Sequence, residues 1–168
     1  MHDILFNGNP ITIKGNLTKE GQKAKNFVAL KQDLKPFNFF EETKGKIKII
    51  SIAPSLDTGV CAFQAEEFHK KIESYKDKVT LVSITVDLPF AQKRFCDSND
   101  IENGIIVSDH KEVDFGKKYG FLIDELRLLT RGVIIVDEDN IVRYVEYVDE
   151  VTNHVHYEKA FKKLKDVL

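Results

Sequence analysis

The stretch Val79-Thr-Leu-Val-Ser-Ile-Thr-Val86 is nearly continuous in β-branched and apolar residues, and it restricts the fold more than any other segment of the chain. A strand with one wet face alternates apolar and polar residues, whereas one that is apolar throughout is covered on both faces, as in a sheet between layers of helices. Upstream, Ile47-Lys-Ile-Ile-Ser-Ile52 has the same character. Between the two, Ala65, Phe68, Ile72 and Tyr75 fall at offsets of three, seven and ten, which places them on one face of a helix. Strand, helix and strand in this order predict a β-α-β unit.

Shorter signals supply the other elements. Ile4 to Ile13 reads as a hairpin around Asn7-Gly8-Asn9-Pro10, with Asn-Gly the strongest short turn signal. Residues 15–25 are polar and irregular, Phe27 to Leu30 suggests a strand, and Phe37 to Thr43 a short strand or a turn of helix. A helix is predicted from Pro89 to Ser98, with proline in its first turn, where the missing N–H is not needed. Ile105 to Val107 is a short strand, and Val113 to Tyr119 a helix closed by Gly120. Gly132–Asp137 and Ile141–Val148 form a hairpin around Glu138-Asp139-Asn140, and a last helix runs from about His154 to Val167 with Tyr157, Phe161, Leu164 and Val167 inward.

No repeat or linker divides the 168 residues, so one domain is expected over 1–168, with residues 1–14 as an N-terminal hairpin. A central mixed sheet flanked by helices and ending in an antiparallel hairpin and a helix is a thioredoxin-like α/β fold. Fold alone says little about function.

Lys and Arg (25) nearly balance Asp and Glu (27), which leaves no basic field to hold a nucleic acid or an acidic membrane surface. The N-terminal residues lack a basic region followed by an apolar run, and the chain has no long apolar stretch, so a cytoplasmic location off the membrane is expected. In that reducing compartment two cysteines are not expected to form a structural staple. By residue type alone, a buried cysteine is an inert small hydrophobe.

Position gives Cys61 a second reading. It follows Ile47–Ile52 at the first turn of the next helix, beyond the carboxyl end of a strand, where reactive groups of α/β sheets lie. Unpaired N–H groups and the positive end of the helix dipole favour a thiolate there. Pro54 ends the strand, and Thr58, three residues ahead of Cys61, is either a plain N-cap or a hydroxyl turned toward the sulfur. Cys61-Ala-Phe-Gln64 is not a C-x-x-C, which argues against a dithiol exchange protein.

Pro54, Thr58 and Cys61 match the pattern Pro-x-x-x-Thr-x-x-Cys of the peroxiredoxin family, and P-S-L-D-T-G-V-C resembles that of its bacterial thiol peroxidase subfamily. Asp87-Leu-Pro-Phe-Ala-Gln-Lys-Arg-Phe-Cys96 is similar to the subfamily's second signature. The N-terminal Gly8-Asn9-Pro10 and Arg131 ahead of Gly132–Asp137 also fit. The resemblance implies that Cys61 attacks a hydroperoxide to give a sulfenic acid, and that Cys96 resolves it as an intrachain disulfide which thioredoxin reduces. Thr58 and Arg131 would hold and polarise the peroxide, and Pro54 would shield the thiolate. It further implies a homodimer and no bound cofactor. The other reading is a peroxide sensor that relays its disulfide to a partner without steady turnover.

A magnitude shows what Cys61 would need. A free thiol is roughly 3% thiolate at pH 7, and lowering its pKa from about 8.5 to about 6 raises that about thirtyfold. Nucleophilicity falls about thirteenfold over the same interval, so only about twofold remains. Groups that stabilise charge spreading along S···O···O must supply the rest, and the planar fork of Arg131 suits that task better than lysine. His69 reads as an exposed helical residue, His154 and His156 as the start of the last helix, and the bulky, apolar loop from Gly120 to Arg131 as a feature that favours apolar substrates.

Overall fold

The structure, a computed structural model, describes residues 3–101 and 104–168. In chain order its elements are β1 (Ile4–Phe6), β2 (Asn9–Ile11), β3 (Ile13–Lys14), β4 (Val28–Leu30), β5 (Pro36–Asn38), α1 (Phe39–Glu42), β6 (Ile47–Ile52) and α2 (Gly59–Ile72). There follow β7 (Val79–Thr85), α3 (Pro89–Ser98), β8 (Ile105–Ser108), α4 (Asp114–Tyr119), β9 (Leu122–Ile123), β10 (Leu128–Leu129), β11 (Gly132–Val136), β12 (Val142–Tyr147) and α5 (Tyr157–Val167). The central sheet has the order β12-β11-β6-β7-β8-β4-β5. β6, β7 and β8 pair in parallel and the outer strands antiparallel, which is the mixed sheet the pattern predicts.

The apolar runs are explained by two covered faces. Ile50, Ile52, Val82, Ile84, Ile134 and Val136 meet Phe39 of α1 and Phe115 and Tyr119 of α4. Their strand neighbours Ile47, Ile49, Val79, Leu81, Val133 and Ile135 point the other way, to Phe68 and Ile72 of α2 and Ala160 and Leu164 of α5. Each such aliphatic side chain contributes about 1.5–3 kcal/mol on burial. The sheet is therefore rigid where β6 and β7 end, and the site lies beyond those ends.

The expected N-terminal hairpin forms, but with a turn of two residues, Asn7 (φ 56°) and Gly8 (φ 81°), because Asn9 and Pro10 already pair with Phe6 and Leu5. Both turn residues are left-handed, a geometry that suits Asn-Gly and matches the strand twist. Residues 1 and 2 of that hairpin lie outside the described residues. Its second strand stops at Ile11, because Ile13 already pairs with Ile123 in a separate sheet of order β10-β9-β3. The hairpin grips the segment after β12: Leu5 N–H donates to the Asp149 carbonyl and Val151 N–H to that of Leu5, both at 2.8 Å. The Glu150 carboxylate accepts from the N–H groups of Asn7 (3.1 Å) and Gly8 (2.7 Å). Together with the Thr152 N–H, the largest influence, these hold its pKa down at about 2.

Three expectations change. The Gly120–Arg131 stretch is not a loop beside the site, because it folds into the β9/β10 hairpin and buries Phe121, Leu122, Ile123 and Leu129 in the core. The last helix starts at Tyr157 rather than His154. His69 is not exposed: it is buried, its Nδ1 lies 2.6 Å from the Ala65 carbonyl, and burial pulls its pKa down.

Asp109, also buried, accepts from the N–H groups of Phe115 (3.1 Å) and Gly116 (2.9 Å) at the start of α4. Burial outweighs those bonds and raises its pKa from 3.8 to about 7. A raised folded pKa means that the fold binds a proton the unfolded chain has released. Asp109 therefore stabilises below about pH 4 and loses that contribution as the pH rises to about 7. Urea unfolding at pH 5 and pH 8 is expected to show a loss on the order of 2–3 kcal/mol that the Asp109→Asn variant lacks. Equal pH dependence in the two proteins would refute the assignment.

Candidate active site

Cys61 is set by the way α2 begins. Thr58 is the N-cap, extended at φ −96° and ψ 148°, and its Oγ1 accepts the Cys61 N–H at 3.2 Å. The N-cap reading of Thr58 thus holds, and its hydroxyl keeps a hydrogen to donate. Pro54 is buried directly after β6, as its place at the strand end requires. Asp87, just past β7, fixes the intervening turn: Oδ1 accepts from the Ser55 hydroxyl (2.6 Å), and Oδ2 from the Leu56 N–H (2.7 Å) and the Thr85 hydroxyl (2.8 Å). The sulfur of Cys61 is therefore held at a helix N-terminus on a braced turn, with only 1% of the residue exposed.

Arg131, ahead of β11, reaches that sulfur across the sheet. Its Nη2 donates to Cys61 Sγ at 3.1 Å, its Nη1 to Gln64 Oε1 at 2.9 Å, and its Nε to the Val151 carbonyl at 2.7 Å. All three nitrogens of the fork are engaged and the residue is 2% exposed, so its direction is fixed before any substrate arrives. The N-terminal hairpin bonds the N–H of the same residue, Val151, through the Leu5 carbonyl. The hairpin and the guanidinium thus meet at one residue of the segment after β12.

Gln64 is the site residue that residue patterns missed. It lies one turn beyond Cys61 on the same face of α2 and is buried, and its Nε2 donates to Ser51 Oγ (2.8 Å) and the carbonyls of Ile52 (3.1 Å) and Gly132 (3.4 Å). Those bonds leave Oε1 free to turn toward Arg131. An i, i+3 glutamine on an otherwise apolar helix face was the available signal. Tyr157 stands nearby, against Phe63 (5.8 Å) and Phe68 (5.5 Å), with its hydroxyl buried and, among the described residues, lacking a hydrogen-bond partner. Burial raises its pKa above the tyrosine value of 10, and the charge of Arg131 opposes the rise.

Cys96 is not bonded to Cys61 and makes contacts of its own. Both thiols are free, and Cys96 lies half-buried in the last turns of α3, packed on a cluster of Leu56, Ala65 and Ile106. Its Sγ accepts from Gln32 Nε2 at 3.3 Å, and burial pushes the thiol pKa up while that amide and Lys93 oppose it. Of the five residues expected at the site, the structure joins Thr58, Cys61 and Arg131 by hydrogen bonds, buries Pro54 just after β6, and gives Cys96 another partner, Gln32.

A cysteine seated where strand becomes helix, with a fixed cation on its sulfur, makes this a thiol redox protein of thioredoxin-like fold. Residues 19–168 match the family described as Redoxin. Over its whole length the chain is 46% identical to all of a thiol peroxidase from Halalkalibacterium halodurans. It superposes with a TM-score of 0.91 on a peroxiredoxin-like protein from Aquifex aeolicus, at 33% identity, covering 100% of this chain and 98% of that one. A thiol peroxidase from Chromobacterium violaceum, 20% identical, shares the fold at a TM-score of 0.88 over 99% of this chain and 97% of the other. The chain belongs to the Redoxin family, and its relatives are thiol peroxidases and peroxiredoxins. The resemblance drawn from its two motifs, and with it the expectation of a peroxidase-type oxidoreductase, is borne out.

Proposed function

We propose that this chain reduces hydrogen peroxide and organic hydroperoxides through Cys61. The observation that carries the reading is the 3.1 Å contact from Arg131 Nη2 to Cys61 Sγ, because it puts a fixed donor where charge develops during attack on an O–O bond. The thiolate takes the terminal oxygen of the peroxide, the O–O bond breaks, and water or an alcohol leaves after protonation. Arg131 and the Thr58 hydroxyl hold the two oxygens in line, Pro54 and the burial of Cys61 keep water away, and Gln64 keeps the guanidinium turned inward.

Cys96 resolves the resulting sulfenic acid. Its thiol attacks the Cys61 sulfur, the S–S bond forms, and the S–O bond breaks with release of water. To reach Cys61, the segment bearing Cys96 gives up its bond to Gln32 and its packing on Leu56, Ala65 and Ile106, since a disulfide needs Cα atoms within about 7 Å. A thioredoxin-type dithiol returns both cysteines to thiols. In this reading residues 1–168 form one domain, the enzyme works in the cytoplasm without a bound cofactor, and two copies form a dimer.

The test is to add one equivalent of hydrogen peroxide to the reduced protein, count thiols, and then supply thioredoxin, its reductase and NADPH. Loss of two thiols followed by steady NADPH oxidation is the expected result. Two thiols lost without turnover would make the protein a sensor that passes its disulfide onward, and retention of both thiols would overturn the proposal.

A further inference from the structure

α3 is anchored at one end only. Of its residues Pro89 and Gln92 are buried, and Gln92 Nε2 donates to the Val107 carbonyl (2.8 Å) and Thr85 Oγ1 (3.1 Å) at the ends of the sheet strands. Beyond Gln92 the helix has Lys93, Arg94, Asp97 and Ser98 exposed, while Phe95 and Cys96 pack on the protein. Among the described residues, the side chain that holds Cys96 by a hydrogen bond is Gln32, 64 residues upstream at the tip of the β4/β5 hairpin. That tip is itself a defined turn: Lys31 N–H donates to the Lys35 carbonyl (2.9 Å), Leu34 N–H to that of Lys31 (3.0 Å) and Lys35 N–H to Asp33 Oδ1 (3.0 Å).

We propose that Gln32 is a positioning residue for the resolving step, a latch that retains Cys96 in its seat and thereby sets how long the Cys61 sulfenic acid persists. The inference rests on the resolving role assigned to Cys96 above. Resolution requires Cys96 to leave the Leu56, Ala65 and Ile106 cluster, and every contact made only in the seated form slows that departure. The amide N–H to sulfur bond is such a contact, because the water that replaces it solvates both groups only after the turn opens. While the latch holds, a second peroxide can reach the sulfenic acid and oxidise it to sulfinic acid, with the peroxide itself as the oxidant and water or an alcohol as its product. Gln32 therefore governs the balance between turnover and overoxidation without touching Cys61.

Gln32→Leu removes the donor and keeps the bulk, and Gln32→Ala removes both. Rapid quenching with a thiol alkylator, followed by mass spectrometry, separates formation of the sulfenic acid from its conversion to the disulfide. Both variants are expected to resolve about fivefold faster than the parent, the equilibrium worth of one such hydrogen bond, and to need about fivefold more peroxide for half-conversion to sulfinic acid. Amide exchange of residues 95–99 in the reduced variants is expected to accelerate by the same factor, while that of Gln92 stays unchanged. A resolution rate within 1.5-fold of the parent in both variants, or slower resolution, would overturn the latch. Absence of a Cys61–Cys96 disulfide in the parent would instead overturn the assignment of Cys96, so the two failures are distinct.

Discussion

Replacing Arg131 by lysine is expected to lower the second-order rate of peroxide reduction by about a hundredfold to a thousandfold. Lysine keeps a positive charge but cannot serve three partners that lie in one plane. The ammonium would satisfy the Val151 carbonyl, Gln64 or the sulfur, but not all three at the distances of 2.7, 2.9 and 3.1 Å that the fork spans. A charge that shifts among acceptors is no longer aimed at the oxygen on which charge develops. Stopped-flow mixing of the reduced protein with peroxide measures the rate, with Cys61→Ser, expected to abolish the reaction, as the floor. A lysine variant within threefold of the parent would show that charge alone suffices and that the fixed geometry is incidental.

The second large effect concerns stability. Gly132 opens β11 between Tyr147 of β12 and Ile52 of β6. A Cβ there would lie 2.2 Å from the Glu146 carbonyl oxygen and 2.7 Å from Cε1 of the Phe121 ring. The first neighbour is backbone in a paired strand and cannot rotate away, and the second is fully buried. Gly132→Ala must therefore part β11 from β12, at an expected loss of about 3 kcal/mol or more. For a chain of 168 residues that is a fall in midpoint of roughly 6–12 °C, followed by circular dichroism on heating. Arg131 is the preceding residue, so peroxide reduction should fall further than the remaining folded fraction explains. A midpoint within 2 °C of the parent would refute the close approach.

How much of this could be read from residues alone varies with the kind of feature. β6 and β7 were legible because a strand covered on both faces loses its alternation, and α3 because Pro89 marks its first turn. The place of Cys61 at a helix start, and Thr58 as its cap, followed from spacing. Arg131 did not: no local pattern says that a side chain before β11 turns to a sulfur 70 positions earlier, and only the family resemblance pointed there. Gln64 stayed hidden because a buried glutamine looks like any polar interruption until its partners are known. The β9/β10 hairpin escaped because two-residue strands are too short to carry a period, and its apolar residues resembled a lining when they are core. His69 was misplaced because the buried face of α2 is wide enough to take it in beside Phe68.

The three partners of the guanidinium are a carbonyl, a carboxamide and the sulfur itself, and among the described residues no carboxylate forms an ion pair with Arg131. Among the described residues, the anion that the proposed cycle sets against this buried cation is thus the thiolate of Cys61. Conversion to a sulfenic acid or a disulfide abolishes that anion and leaves the cation without a counterion, a condition that a dry interior tolerates poorly. Charge neutrality would then favour whatever admits water or restores the thiolate. The same arginine that speeds the first step would make each oxidised state of the pocket the less comfortable one, and so help drive the enzyme round.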